Sequence, residues 1–237
     1  MVSANPASIT PVNATKKQSL FDLIKVIYSP AEVLGAIQPT YRMKGIIFVF
    51  FILYYAFNYF VSNKLLMTEE VQKTLGESGL EMPASVMQLM QIITTFFSTI
   101  IAFVILLVTF VLLRISGKLF KLSFTKKQLF LVLLYAQVPI LIGKGLKLAF
   151  VNWTDLSLST PVSTGTITNL GLLANQITTN GFLINLLSSI DLLELWSYIL
   201  IGLGISFIGH TTIKKGMLSS FSIWGVLFVI NVIVVLI

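Results

Sequence analysis

Residues 45–62 read GIIFVFFILYYAFNYFVS, and Lys44 and Lys64 stand on either side of them. No residue in that run is charged. A helix crossing about 30 Å of hydrocarbon needs about 20 mostly apolar residues. The stretch is therefore a membrane span bracketed by basic anchors. Four more stretches pass the same test. They lie at about 89–113, ending at Arg114, at about 128–150, interrupted by Pro139 and Gly143, at about 190–209, and at 217–237. Composition agrees, because the 237 residues are 56% hydrophobic and 11% charged, with a mean hydropathy of +0.92. So few charges cannot clothe a water-facing surface, where roughly 25% charged residues are usual.

The fold class expected is all-α: a polytopic membrane protein, a bundle of about five transmembrane helices with an N-terminal cytoplasmic amphipathic segment. Three regions follow from this. Residues 1–18 form a polar, disordered cytoplasmic tail, residues 19–44 form amphipathic interfacial helices, and residues 45–237 form the five-helix domain. In the second region, SLFDLIKVIY at 19–28 places Leu20, Phe21, Ile24, Ile27 and Tyr28 on one helical face. A second short helix starts at Ser29-Pro30-Ala31-Glu32. Ser29 is expected as its cap, Pro30 as its first residue and Glu32 as the other half of a capping box.

Basic residues set the orientation. Lys16, Lys17, Lys25, Arg42 and Lys44 precede the first span. Arg114, Lys118, Lys121, Lys126 and Lys127 fill the link between spans two and three, and Lys214 and Lys215 lie between spans four and five. The other side carries Lys64, Lys73, Lys144 and Lys147, together with Glu69, Glu70, Glu77, Glu81 and Asp155. The N-terminus is thus expected inside a cell membrane. The net charge of +7 flanks apolar runs, which suits an anionic membrane surface rather than nucleic acid. Sequons occur at Asn13 and Asn152, and only the second is on the expected outer side.

The chain has no cysteine and one histidine, His210. Thiol catalysis, disulfides and a multi-histidine metal centre within one chain are excluded. Gly204-Ile205-Ser206 with His210 makes a poor nucleophile–base pair, since both lie on one helix. No cofactor and no enzymatic activity are expected. Asp191 and Glu194 stand one turn apart near the outer end of span four, as Lys144 and Lys147 do on span three. They read either as an acid–base cluster joining two helix ends or as interfacial side chains reaching for water. Gln137, Pro139, Asn58 and Asn231 read as helix packing through side-chain hydrogen bonds and a proline kink, or as a polar path of a transporter. Gly202, Gly204, Ser206 and Gly209 form a small-residue stripe for close helix approach. The link 114–127 alternates Leu119, Phe120, Leu122 and Phe124 with lysines, and suits lipid head groups or a partner.

Four of these features resemble the Yip domain family of five-span membrane proteins. They are the amphipathic lead with Ser29-Pro30, the short basic link, Tyr135-Ala136-Gln137-Val138-Pro139, and Asp191 five residues before Trp196 with Ile201-Gly202-Leu203-Gly204 following. The lysine-rich, cysteine-free chain is more similar to the bacterial, YknW-like type. That resemblance implies a non-enzymatic accessory protein, one that assists an ABC exporter in defence against a toxic peptide. Eukaryotic members are associated with Rab-type GTPases and vesicle membranes. The partners implied are the lipid bilayer, other membrane proteins, an exporter or its adaptor among them, and further copies of the chain. Pro139, Lys144, Lys147, Asp191, Glu194, Trp196, Gly202 and Gly204 are the candidate structural or partner contacts. A small transporter or channel, with a polar path through spans three and four, is the competing expectation.

Overall fold

A computed structural model describes residues 21–38, 43–66, 83–153 and 168–236. The tail at 1–18, the sequon at Asn13, Thr154 of the second sequon and the acidic residues Glu69, Glu70, Glu77, Glu81 and Asp155 lie outside them.

The described residues form helices and no strand. In chain order these are α1 (Phe21–Tyr28), α2 (Pro30–Gly35), α3 (Met43–Leu66), α4 (Ala84–Leu119), α5 (Lys126–Ala136), α6 (Val138–Trp153), α7 (Gly171–Ile177), α8 (Gly181–Ser188), α9 (Leu192–Ile208) and α10 (Ile213–Leu236). Four helical stretches are long and apolar enough to cross a membrane: Met43–Asn63, Ser85–Leu119, Lys126–Phe150, which joins α5 and α6, and Ile213–Ile233. The expected fourth span is α9, which has 17 residues. At 1.5 Å per residue it reaches about 25 Å, short of the hydrocarbon thickness.

The α5–α6 crossing is the axis of the bundle. It is 61% buried, against 11% for the stretch in α3 and 22% each for those in α4 and α10. Leu129, Leu131, Val132, Leu133, Leu134, Tyr135 and Ala136 are all buried in a row. Such a helix is apolar all round because it is enclosed all round. α9 lies against α5 and α6 and pairs with α10, while α3 packs on α6 and α4.

α4 is built inside out. Its Gln91, Thr95, Thr99, Thr109 and Ser116 are buried, whereas Leu89, Phe97, Ile101, Ile105, Val108 and Val111 are exposed. Water would reverse that arrangement, while lipid favours it, because apolar side chains lose nothing there and small polar ones bring helices together. Most of the inward groups are bonded: Gln91 donates to the Tyr59 carbonyl at 3.2 Å, and the Ser116 and Ser219 hydroxyls lie 2.8 Å apart, while the Thr95 hydroxyl has no partner among the described residues.

α1 ends at Tyr28 and α2 begins at Pro30, as the pattern places them, and α2 stops at Gly35. Pro30 occupies the first turn of α2, but Ser29 makes no side-chain cap. Glu32 is drawn instead into an ion pair with Lys25, and this carboxylate holds the Lys25 ammonium above its ordinary range. A lysine one helix away gives Glu32 a full charge to pair with, and the capping box does not form. Val26, Val33 and Leu34 are buried. α2 rests on α9 and α1 touches α6, so the segment is seated on its own bundle. Phe21, Ile24 and Tyr28 form a second, exposed face.

α4 and α9 end alike, with a left-handed residue that is not glycine: Lys121 at φ 54° and His210 at φ 47°. The Leu122 amide donates to the Gly117 carbonyl at 2.8 Å, and the Thr211 amide to the Ser206 carbonyl at 3.0 Å. These are Schellman closures, for which glycine is the unstrained choice. His210→Gly is expected to stabilise the protein by about 1 kcal/mol, raising Tm in detergent by roughly 2–4 °C. A lower Tm would show that the imidazole itself holds the turn.

Candidate functional site

Pro139 decides the centre of the molecule. Proline lacks an amide hydrogen and its ring crowds the preceding turn, and α5 stops at Ala136 while α6 begins at Val138. Gln137 sits in the break, and its own amide turns back to the Leu134 carbonyl at 3.1 Å. Two neighbours complete the junction. The Ser197 hydroxyl of α9 donates to the Ala136 carbonyl at 2.5 Å, and the Tyr54 hydroxyl of α3 donates to Gln137 Oε1 at 2.7 Å. The break thus fastens α3, α5, α6 and α9 at one level, through groups that would be costly in hydrocarbon if left open.

Two turns further along α6, Lys144 Nζ donates to Asn58 Oδ1 at 2.8 Å and lies 5.2 Å from the Tyr54 ring centroid. A cation over a ring face is attracted by the ring quadrupole. The Asn58 amide in turn reaches Thr99 of α4 at 3.4 Å. Lys144 is therefore accommodated by α3 and does not cross to α9.

Asp191 serves another purpose. Its carboxylate accepts from the Leu193 and Glu194 amides at 2.8 and 2.9 Å, which makes it the N-cap of α9. Thr168 also donates to it at 3.0 Å. The Leu170 amide bonds to the Ile190 carbonyl at 2.9 Å, so the chain at 168–170 clamps the start of α9. An anionic cap suits the positive end of a helix. Asp191 and Glu194, one turn apart, are thus separated in role, one capping the helix and the other lining the cavity inside the bundle.

Glu194 lines a cavity of about 90 Å³ between α4, the α5–α6 break and α9, together with Ala102, Ile105, Leu106, Thr109, Gln137, Ile140, Ser197, Tyr198 and Ile201. A smaller cavity of about 10 Å³ lies against Phe50, Tyr54 and Phe103. Ala102, Leu106 and Gln137 line both.

The remaining candidates fall in the packing. Trp196 is half-buried against the core. A methyl group on Gly204 would meet the Val132 side chain, and one on Gly202 would lie 3.0 Å from Met217 Cα. Both glycines face helices of the same chain. Asn231 of α10 donates to Ser189 at 3.0 Å. Tyr54, Thr99, Thr109, Ser197 and Tyr198 were not singled out by sequence reasoning. A faint signal existed for two of them, since Glu194, Ser197, Tyr198 and Ile201 share one face of α9 at helical spacing.

These features define an all-helical membrane protein, four of whose helices are long and apolar enough to span, assembled around a proline-broken central crossing. No family model matches the chain, and no curated protein or solved structure matches it.

Proposed function

We propose that this chain is a non-enzymatic accessory protein of a cell membrane, which acts by binding other membrane proteins. The observation that carries this reading is the length of the exposed apolar face of α4. It runs from Val86 to Ile115, through Leu89, Met90, Ile93, Phe97, Ile101, Val104 and Val108. At 1.5 Å per residue it extends about 45 Å. To fit it within about 30 Å of hydrocarbon would take a tilt near 48°, beyond the usual range of roughly 0–40°. Arg114 anchors one end of the face at an interface. The opposite end, around Val86 to Ile93, therefore rises past the lipid tails, where water would meet bare apolar side chains. A second membrane protein is the cover that fits a helix emerging from the bilayer.

In this reading the chain makes five crossings with its N-terminus inside. α8 and α9 together supply about 37 Å of helix, enough for the remaining crossing as a broken span capped by Asn180 and Asp191. The Yip-family resemblance, and with it an ABC exporter or its adaptor as partner, belongs to the same proposal. Its support is the order of Pro139, Asp191 and Trp196 along the chain.

The test is a photo-crosslinking residue placed at Leu89 or Met90 in living cells, with Val104 as the lipid-facing control. The expected result is one discrete adduct with an integral membrane protein from positions 89 and 90, absent from 104 and abolished by deleting that partner. Adducts to lipid alone, or to residues 67–82 of the same chain, would sink the proposal.

A small transporter or channel is the second reading, favoured by the cavity beside Gln137. The chain contains no cysteine, so Gln137→Cys can be probed directly. Labelling from the aqueous phase in sealed vesicles would favour transport over scaffolding.

A further inference from the structure

We propose that the cavity beside the α5–α6 break is a binding site for one alkali-metal cation, with Glu194 as its counter-charge. This inference rests on neither reading of function. Three observations lead to it. The first is the chemistry of the wall. Glu194 is the only ionisable acid among the lining residues, and no lysine, arginine or histidine lines the cavity. Lys144, the nearest candidate on α6 by sequence position, is committed to Asn58. A carboxylate inside a helical bundle is costly without an opposite charge.

The second is the direction of the hydroxyl protons. Thr109 gives its proton to the Ile105 carbonyl at 2.9 Å, and Ser197 gives its proton to the Ala136 carbonyl. Both hydroxyls keep lone pairs to offer but no hydrogen. Tyr198, only 6% exposed, also lines the cavity, and its hydroxyl has no hydrogen-bond partner among the described residues. Oxygens of Thr109, Ser197, Tyr198 and Gln137 thus share the wall with the carboxylate, and although the Tyr198 hydroxyl and the Gln137 amide also carry hydrogens, the set holds no positive charge of its own to balance Glu194. An all-oxygen set selects a hard cation, and softer metals prefer nitrogen or sulfur.

The third is size and charge balance. One carboxylate neutralises one positive charge, so the ion is monovalent. A volume of about 90 Å³ holds a sodium- or potassium-sized ion with one or two waters, since a water needs only about 10–15 Å³ measured in this way. Thr109, Ser197, Tyr198 and Glu194 would supply protein oxygens from α4 and α9. Occupancy would then tie α4 to α9 across the break.

The test is thermal melting of the purified protein in detergent, titrated with sodium or potassium chloride against choline chloride at constant ionic strength. A ligand that binds the folded state raises Tm progressively above its dissociation constant. The expected result is a rise of Tm with one of the alkali cations and none with choline. Glu194→Gln is expected to abolish that dependence, and Thr109→Val, which keeps the side chain's shape, to weaken it. If Glu194→Gln does not yield folded protein, Thr109→Val and Tyr198→Phe carry the comparison. A wild-type Tm identical in sodium, potassium and choline would overturn the proposal. So would a cation dependence that survives in the variants.

Discussion

Gly216→Ala is expected to destabilise the protein by about 3 kcal/mol, the upper end of what overpacking ordinarily costs. A methyl group there would collide with the Gly202 carbonyl oxygen and stand 3.0 Å from the Ser206 amide nitrogen and 3.1 Å from Ser206 Cβ. Two of those three neighbours are backbone atoms, which cannot rotate away. α9 and α10 would have to move apart along their shared seam, the most extensive helix pairing in the molecule. Separation would also loosen Ser220, whose hydroxyl donates to the Tyr198 carbonyl at 2.6 Å. The expected readout is a fall in Tm in detergent of roughly 6–12 °C. Gly225→Ala on the same helix is the control. A methyl group there meets nothing within 4 Å, so better helix propensity should raise stability by up to about 1 kcal/mol. If the two variants melted alike, close packing at Gly216 would not be what joins these helices.

The second large effect belongs to Asp191. Asp191→Ala removes an acceptor shared by two backbone amides and the Thr168 hydroxyl, at a buried position. Loss of a helix cap costs about 0.5–2 kcal/mol, and hydrogen bonds to a charged group stand at about 1.5–3 kcal/mol. A loss of about 2–3 kcal/mol is expected. Asp191→Asn keeps an oxygen in place and should cost less than half as much. The comparison separates capping from ion pairing. In a cluster with Lys144, the charge would matter rather than the acceptor. Asp191→Asn would then cost as much as Asp191→Ala, and Lys144→Gln would be non-additive with it. The geometry predicts additivity, because Lys144 bonds to Asn58 on α3 and Asp191 bonds to the start of its own helix.

The positions of the long apolar helices and the membrane character of the chain were legible without any structure, whereas the short helix α7 (Gly171–Ile177) was not. A run such as 45–62 excludes charge over a length that only a bilayer requires, and this one-dimensional property survives into three dimensions. The break near Pro139 was equally legible, because a missing amide hydrogen is a property of the residue itself. The start of α2 was readable for the same reason, at Pro30. Its cap was not. Whether Glu32 turns to Ser29 or to Lys25 depends on the angle between α1 and α2, which no local pattern encodes.

The site shows where sequence reasoning ended. Asp191 and Glu194 are one turn apart, carry the same charge, and look like a pair. The tertiary structure gives one to backbone amides and the other to a cavity, because the clamp at 168–170 fixes the start of α9 and thereby its rotation. The partners of Lys144 lie on α3, 86 residues away, and those of Ser197 on α5, 61 residues away. The sequence by itself determined which segments prefer lipid and where the central helix must break, since hydropathy and proline chemistry act residue by residue. Only the tertiary structure decided that α5–α6 is the enclosed axis, that the glycine stripe is spent within the chain, and which polar groups meet at the break. Those are consequences of helix rotation and crossing, which distant contacts set together.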